Sequence, residues 1–443
     1  MSKDLAKPQA IACYGILKFA LNAVLKENRP ADKAVTYYFK NNKKYGSRDR
    51  RIMYEVVFSV FRWYGWLKEI IYLHTPEDQP DFLTLSSKTL SKIALSAGIF
   101  DGSIEAALME YWKYELNVPE TLCRTIQSVF NEDEASKILS FFGVSKKISY
   151  SALIPEWAHE KIKQTLSTEK ELIKWYQTRP PIWLRIQTAD TEKLFKEFSK
   201  NEIQYFSSET VKDAVCIKNA KVSLYSLKSF ESGFFEIQDI ASQVIGIVAG
   251  AKPGERWWDC CAGAGGKSLQ LSSMMQNKGR IVASDIREYK LDDLKKRAKR
   301  NEKSNIECKA WDGKALRSNK AESFDGVLID APCSCSGTWR RNPDARWRLS
   351  PEEIEELLSI QFSILENASS AVKKGGFLIY ATCSVFDEEN SLMIKEFLKN
   401  HSEFTLESFV NPLDGSSTDG MLQIYPWMSD CDAMFVAKMQ KSS

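Results

Sequence analysis

Histidine is scarce: His74, His159 and His401 are the only three among 443 residues. The ten cysteines include no Cys-x-x-Cys pair. Both absences argue against a zinc site on the usual ligand spacings, so no metal is expected. An excess of one charge is missing too. Sixty-one Lys and Arg face 58 Asp and Glu, leaving a net charge of +3. Any binding to nucleic acid would therefore rest on local basic patches. No run approaches 18 apolar residues, and the opening MSKDLAKPQA has no apolar signal core. The expectation is a cytoplasmic chain with no membrane segment and with its thiols reduced.

What is present is ordinary in bulk, with 44% hydrophobic and 27% charged residues, and the chain is long enough for two or three cored domains. Residues 1–145 read as helical. Met53, Val57, Val60, Phe61 and Tyr64 recur at helical spacing, which marks a face for core packing. Just before them, residues 40–51 (KNNKKYGSRDRR) hold six basic residues and one acid, a solvated face or an RNA phosphate contact. Residues 146–235 mix PIWLRIQT, the helical DTEKLFKEFSK and strand-like AVCIKNA, so they form a small α/β subdomain. From 236 to 443, strand-like ERWWDCCA, RIVASD, DGVLID and GGFLIYAT alternate with helices. That alternation predicts a parallel, doubly wound sheet. In SPEEIEELLSIQFSILENASSAVKKGG, Ser350, Pro351 and Glu353 suit a capped helix start, while Lys373, Lys374 and Gly375 suit its end.

Two features carry chemistry. The first is WWDCCAGAGGKS, residues 257–268, a strand running through a glycine loop into a helix. Asp285 closes the next strand twenty residues after Gly265, where a carboxylate can accept both ribose hydroxyls. Asp312 follows a third strand-like stretch, either near an adenine ring or as a turn residue. A nucleoside cofactor follows, and both a nicotinamide dinucleotide and S-adenosylmethionine fit. The second feature is a pair of cysteine loops at strand ends: DAPCS, with Asp330 and Cys333, and YATCS, with Cys383. A thiolate that adds to carbon 6 of cytosine makes carbon 5 nucleophilic. That chemistry asks for a cysteine, an acid facing N3 and a base, and spacing does not say which thiol attacks. A nicotinamide enzyme would leave both loops without a purpose.

These motifs resemble those of the RNA cytosine-C5 methyltransferases of the Sun/Fmu type and, within that family, the bacterial 16S ribosomal RNA members. GFFEIQDIASQ (233–243), DCCAGAGGK, GTWRRNPDARWRLS and PIWLRIQT resemble further family segments, and GSRDRRIMYEVVFSVFRWYGWL resembles an antitermination-factor helical domain. The resemblance implies three parts: an all-α NusB-like RNA-binding domain, a small α/β RNA-binding subdomain, and a Rossmann-like class I methyltransferase domain that uses S-adenosylmethionine. It makes Cys383 the nucleophile, with Cys333 assisting release and Asp330 near N3 and the cofactor. Cys261, Ala262, Gly263, Ala264, Gly265, Gly266 and Lys267 would line the cofactor, with Asp285 on the ribose and Asp312 near the adenine. Ala264 stands where the family loop has proline. Arg340, Arg341, Arg346 and Arg348 are expected on RNA phosphates, with Trp339 and Trp347 stacking bases or packing. Small-subunit ribosomal RNA is the expected partner. Transfer RNA and a non-catalytic assembly role are the alternatives. Cys335 has no place in the pattern and reads as a bystander.

Overall fold

The structure is a computed structural model that describes residues 3–73, 75, 80–123, 131–165, 167–315 and 321–443. His74 lies outside them. The chain forms two compact units, Met1–Arg179 with Trp339–Ser350, and Pro180–Thr338 with Pro351–Ser443.

The first unit is helical. Its longest helix, Ser47–Tyr72, buries the expected Met53, Val57, Val60, Phe61 and Tyr64, and also Trp66, Leu67 and Ile70. Gly65 lets the short helical turn Tyr150–Leu153 approach: a Cβ there would stand 1.8 Å from the Ala152 carbonyl oxygen. In the first helix, Ala6–Leu25 is long and apolar enough to cross a membrane by length and composition, although charged and polar residues interrupt its apolar run. Ala10, Cys13, Leu17, Ala20, Leu21 and Val24 are buried inside the unit, as in a core helix. The basic run spans the end of helix Ala31–Asn41, the connection and the first turn of Ser47–Tyr72, and is mostly exposed.

Two expectations change here. The helical unit runs past residue 145, because Glu156–Thr165 and Glu169–Tyr176 are helices within it. Residues 339–350 also belong to it, and Arg340 and Arg346 are almost wholly buried. Arg346 donates to the Arg62 carbonyl and to Gln177 Oε1. Arg340 donates to the Arg179 carbonyl at 3.2 Å and lies over Trp175. Trp339 is buried against Tyr176. These three side chains are packing groups, out of reach of phosphates and bases, because the helical unit encloses them. Arg341 and Arg348 are half-buried, with Arg348 on Asp344 at 3.2 Å. Trp347 donates to the Phe61 carbonyl at 2.9 Å and meets Tyr64 edge-on.

Arg62 is the centre of this packing. It is buried, pairs with Asp101 at 3.1 Å and donates to the carbonyls of Tyr176, Thr178 and Arg340. Burial pushes the Asp101 carboxyl up, but Arg62 and Arg179 outweigh it and hold it below the usual carboxylate range. Its contribution is therefore present above the unfolded value of about 3.9 and is lost as pH falls below that. Asp101→Asn strands the Arg62 charge, and thermal unfolding should show a loss of about 3–5 kcal/mol.

The second unit holds two sheets. The smaller is antiparallel, built from β1 (Ile182–Ile186), β2 (Gln204–Ser207), β3 (Ala214–Asn219) and β4 (Phe235–Ile237), in the order β2-β3-β1-β4. Helix Thr191–Lys200 covers it with Leu194 and Phe198. The larger sheet comprises β5 (Arg256–Asp259), β6 (Arg280–Asp285), β7 (Ile306–Ala310), β8 (Phe324–Asp330), β9 (Val372–Thr382), β10 (Phe404–Leu406), β11 (Met421–Ile424) and β12 (Met434–Lys441). The order is β10-β12-β9-β8-β5-β6-β7, with β11 beside β12. Strands β5 to β9 pair in parallel, as expected. The last three strands add antiparallel pairing: β12 lies against β9, and β10 and β11 against β12. Alternate residues of β8 face opposite cores, with Leu328 toward Val244 and Val248, and Val327 and Ile329 toward Leu365 and Ile394. Both faces are covered, which is what makes these strands read as near-continuous apolar runs.

Helix Pro351–Ser369 ends before Lys373, Lys374 and Gly375, so these residues do not close it. Lys373 pairs with Asp325 at 2.8 Å. Gly375, at φ +72, sits in a bulge of β9 where the register against β8 slips between Phe324 and Gly326.

Candidate active site

The chain winds outward from β5 through β6 to β7, then returns to place β8 and β9 on the other side of β5. The order reverses between β5 and β8, and ligands of open α/β sheets bind at the carboxyl ends beside such a reversal. Asp259 ends β5, Asp285 ends β6, Asp330 ends β8, and Cys383 follows β9. Four chemically useful residues thus share one sheet edge.

The glycine loop is held from below. Gly265, at φ +87, packs so closely that a Cβ would meet Leu294 Cγ at 2.4 Å. Arg297 donates to the Ala264 carbonyl at 2.7 Å and is anchored by buried Glu236 at 2.6 Å. The Gly263 N–H donates to Asp285 Oδ2 at 2.9 Å, and the Arg287 backbone and Nε donate to Oδ1 at 2.8 and 3.0 Å. Burial raises the Asp285 carboxyl, but the Arg287 contacts outweigh it and leave it below the ordinary range. Gly263 and Gly266 have open space where a Cβ would project, so backbone is accessible on the ligand side of the loop.

Deeper in, Lys267 Nζ bonds Asp330 Oδ2 at 2.7 Å, and Ser268 Oγ bonds Asp259 Oδ2 at 2.5 Å. Burial alone would lower the Lys267 ammonium, but Asp330 and Asp259 together raise it. Asp259 is fully enclosed. Burial pushes its carboxyl up to about 7 despite the Ser268 hydrogen bond.

Cys333 and Cys383 come together, Sγ to Sγ, at 3.4 Å. Their loops are fastened by a buried network that no motif announced. Glu389 accepts from the Ser334 N–H at 2.8 Å, from Ser334 Oγ, and from Gln361 Nε2 at 2.8 Å. Ser384 Oγ meets Ser334 and Ser336 at 3.1 and 3.0 Å, and the Gly337 N–H donates to the Cys383 carbonyl at 2.9 Å. Hydrogen bonds with Cys335 and Cys383, and then burial, hold the Cys333 thiol well above its ordinary value. A hydrogen bond from Cys333 pulls Cys383 down, but Cys335, burial and the Asp330 charge outweigh it, so this thiol is raised as well. Glu389→Ala removes acceptors from a buried donor set at about 1–3 kcal/mol each. It should lower both melting temperature and turnover, whereas Glu389→Gln keeps part of each. A Glu389→Ala protein as active as its parent would show that the network does not position the thiols.

The structure thus brings Asp330, Cys333, Cys383 and Lys267 into one group, with the loop Cys261–Gly266 and Asp285 along the same edge. Asp312 lies just past β7, exposed, with its carboxylate on Lys314 at 2.7 Å, apart from that group. Sequence reasoning missed Glu389, Asp259 and Arg297. The polar run DEEN directly after TCSVF was the available signal for Glu389.

A glycine loop after the first strand, an acid closing the second and a ligand edge at the reversal define a nucleoside-cofactor domain of the class I methyltransferase type. Residues 247–440 match the family described as 16S rRNA methyltransferase RsmB/F. A probable ribosomal RNA small subunit methyltransferase B of Synechocystis sp. is 30% identical over 322 residues, covering 70% of this chain and 71% of that one. The probable ribosomal RNA small subunit methyltransferase B of Bacillus subtilis is 31% identical over 300 residues, covering 65% and 66%. The crystal structure of PH0851 superposes at a TM-score of 0.74 with 26% identity, covering 97% of this chain and 99% of that one. NSun6 from Pyrococcus horikoshii, solved with SFG, shares the fold at a TM-score of 0.58 and 20% identity, over 65% of this chain and 98% of that one. The chain belongs to the RsmB/F family of 16S rRNA methyltransferases, and its cofactor is S-adenosylmethionine. The open backbone at Gly263 and Gly266 and the carboxylate of Asp285 fit such a ligand.

Proposed function

We propose that this chain methylates carbon 5 of a cytosine in small-subunit ribosomal RNA, with Cys383 as the nucleophile. The observation that carries this is two thiols 3.4 Å apart at the ends of neighbouring strands, beside the Lys267–Asp330 pair. S-adenosylmethionine supplies an electrophilic methyl group held on a sulfonium. Residues Cys261–Lys267 and Asp285 hold it, with Asp312 on the adenine side. Asp330, kept in place by Lys267, faces N3 of the base and the cofactor. The Cys383 sulfur bonds to carbon 6, and the electron pair pushed to carbon 5 takes the methyl. The carbon-5 proton then leaves to a base and the sulfur–carbon bond breaks, with Cys333 assisting that release. Because burial and neighbouring groups keep both thiols protonated at rest, Cys383 must lose its proton once the site is loaded.

The helical unit, taken as NusB-like, and the small antiparallel sheet would hold the RNA. Arg341 and Arg348 and the exposed basic run 40–51 are the groups for phosphates. The base has to leave its stack to reach a half-buried thiol, which favours an unpaired cytosine. Bisulfite sequencing of total RNA tests the reading. A strain lacking this protein should lose one 5-methylcytosine from its small-subunit ribosomal RNA. An unchanged map there would refute the substrate, and a loss confined to transfer RNA would reassign it.

A further inference from the structure

The third thiol of the site, Cys335, forms no bond to RNA or cofactor in the chemistry above. Cys335 adopts φ +55, a left-handed backbone that costs a non-glycine residue about 1 kcal/mol or more. It is exposed, and its thiol donates to the Cys333 carbonyl at 3.4 Å. In this conformation the sulfurs of Cys333, Cys335 and Cys383 all lie within 4.8 Å of one another, with Cys333 and Cys383 3.4 Å apart. Three thiolates on a tetrahedral zinc ion, with bonds of about 2.3 Å, stand about 3.8 Å apart. With one edge of 3.4 Å and none above 4.8 Å, the triangle reaches that spacing with sulfur shifts of about an ångström or less. Two of the sulfurs sit on loops stapled by Glu389. The third comes from the exposed side, which supplies an entry path.

We propose that Cys333, Cys335 and Cys383 form a binding site for a soft d10 cation such as zinc, which competes with RNA for the catalytic thiols. The donor set decides the class of ion: three sulfurs select thiophilic metals, whereas magnesium and calcium require oxygen ligands. On binding, three S–H bonds break and their protons pass to solvent as three metal–sulfur bonds form, with no change in oxidation state. A chain with few histidines and no Cys-x-x-Cys pair thus assembles a thiol triad from two loops 50 residues apart. Occupancy would lock up the nucleophile, a consequence that rests on the role proposed for Cys383. The metal site itself does not.

The test uses the full chain and zinc alone, in competition with a chromophoric chelator. Cadmium serves as a second probe, read by its ultraviolet thiolate charge-transfer band. Wild type should bind one equivalent. Cys335→Gly suits the left-handed backbone, so it should fold normally, yet bind at least about 100-fold more weakly, since even an outer partner of a metal ligand is worth 10–100-fold; its own metal-free rate is the baseline for its response to zinc. Cys308→Ser, altered on the distant edge strand β7, should bind as wild type does. Zinc should suppress wild-type methyl transfer reversibly and spare Cys335→Gly at the same concentration. Equal zinc affinity in wild type and Cys335→Gly, or an unchanged cadmium band, would overturn the site. Tight binding lost in Cys335→Gly, with undiminished activity in the zinc-loaded wild type, would uphold the site and overturn Cys383 as nucleophile.

Discussion

Cys383→Ala will lower methyl transfer by about 10⁴-fold or more, the scale on which a covalent nucleophile is missed, while S-adenosylmethionine binding is unchanged. The two effects separate because the residues that hold the cofactor sit elsewhere along the sheet edge. The glycine loop is braced by Leu294 and Arg297, and Asp285 by Gly263 and Arg287. None of these contacts passes through Cys383. The loop that carries it is fixed by Ser384, Ser336 and the Gly337 N–H, so a methyl group in place of the thiol leaves the backbone where it was. Single-turnover methyl transfer and equilibrium dialysis measure the two quantities. Full activity in this variant would end the proposed mechanism, and joint loss of activity and cofactor binding would make Cys383 a structural residue.

Cys333→Ala should stall the reaction after methylation. A protein–RNA adduct should accumulate and survive denaturing gels, with turnover down by about 10²–10⁴-fold, the usual contribution of a positioned proton-transfer group. The reasoning is geometric. Cys333 Sγ lies 3.4 Å from Cys383 Sγ, within reach of whatever Cys383 bonds to, and it is held there by a loop whose anchor is Glu389 on Ser334 rather than the thiol itself. The double variant with Cys383→Ala should form no adduct, which separates trapping at Cys383 from non-specific crosslinking. If the single variant turns over without an adduct, release does not depend on this thiol.

Much of the site was legible in one dimension because its parts are local. A strand's end, a glycine loop and the helix after it are set by neighbouring residues, so Asp285, Cys261–Lys267, Asp330, Cys333 and Cys383 could be found from strings of a few residues. The arginines show where that reasoning fails. Arg340 and Arg346 look like a basic patch, yet both are buried, each with one N–H on a backbone carbonyl of the helical unit. Solvation is a property of packing, and a charge run carries no sign of whether it will be covered. Likewise nothing in β10, β11 and β12 says parallel or antiparallel, since pairing direction depends on where the chain returns.

From the order of residues alone came an α/β domain with a nucleoside loop, two cysteines at strand ends and a helical region before them. Each follows from short-range propensity and periodicity. The folded chain alone decided that Cys333 and Cys383 touch, that Glu389 fastens their loops, that Cys335 completes a triad and that two arginines are interior. Those outcomes depend on distances between segments far apart along the backbone, which spacing does not encode and only the packing of the sheet and the helices sets.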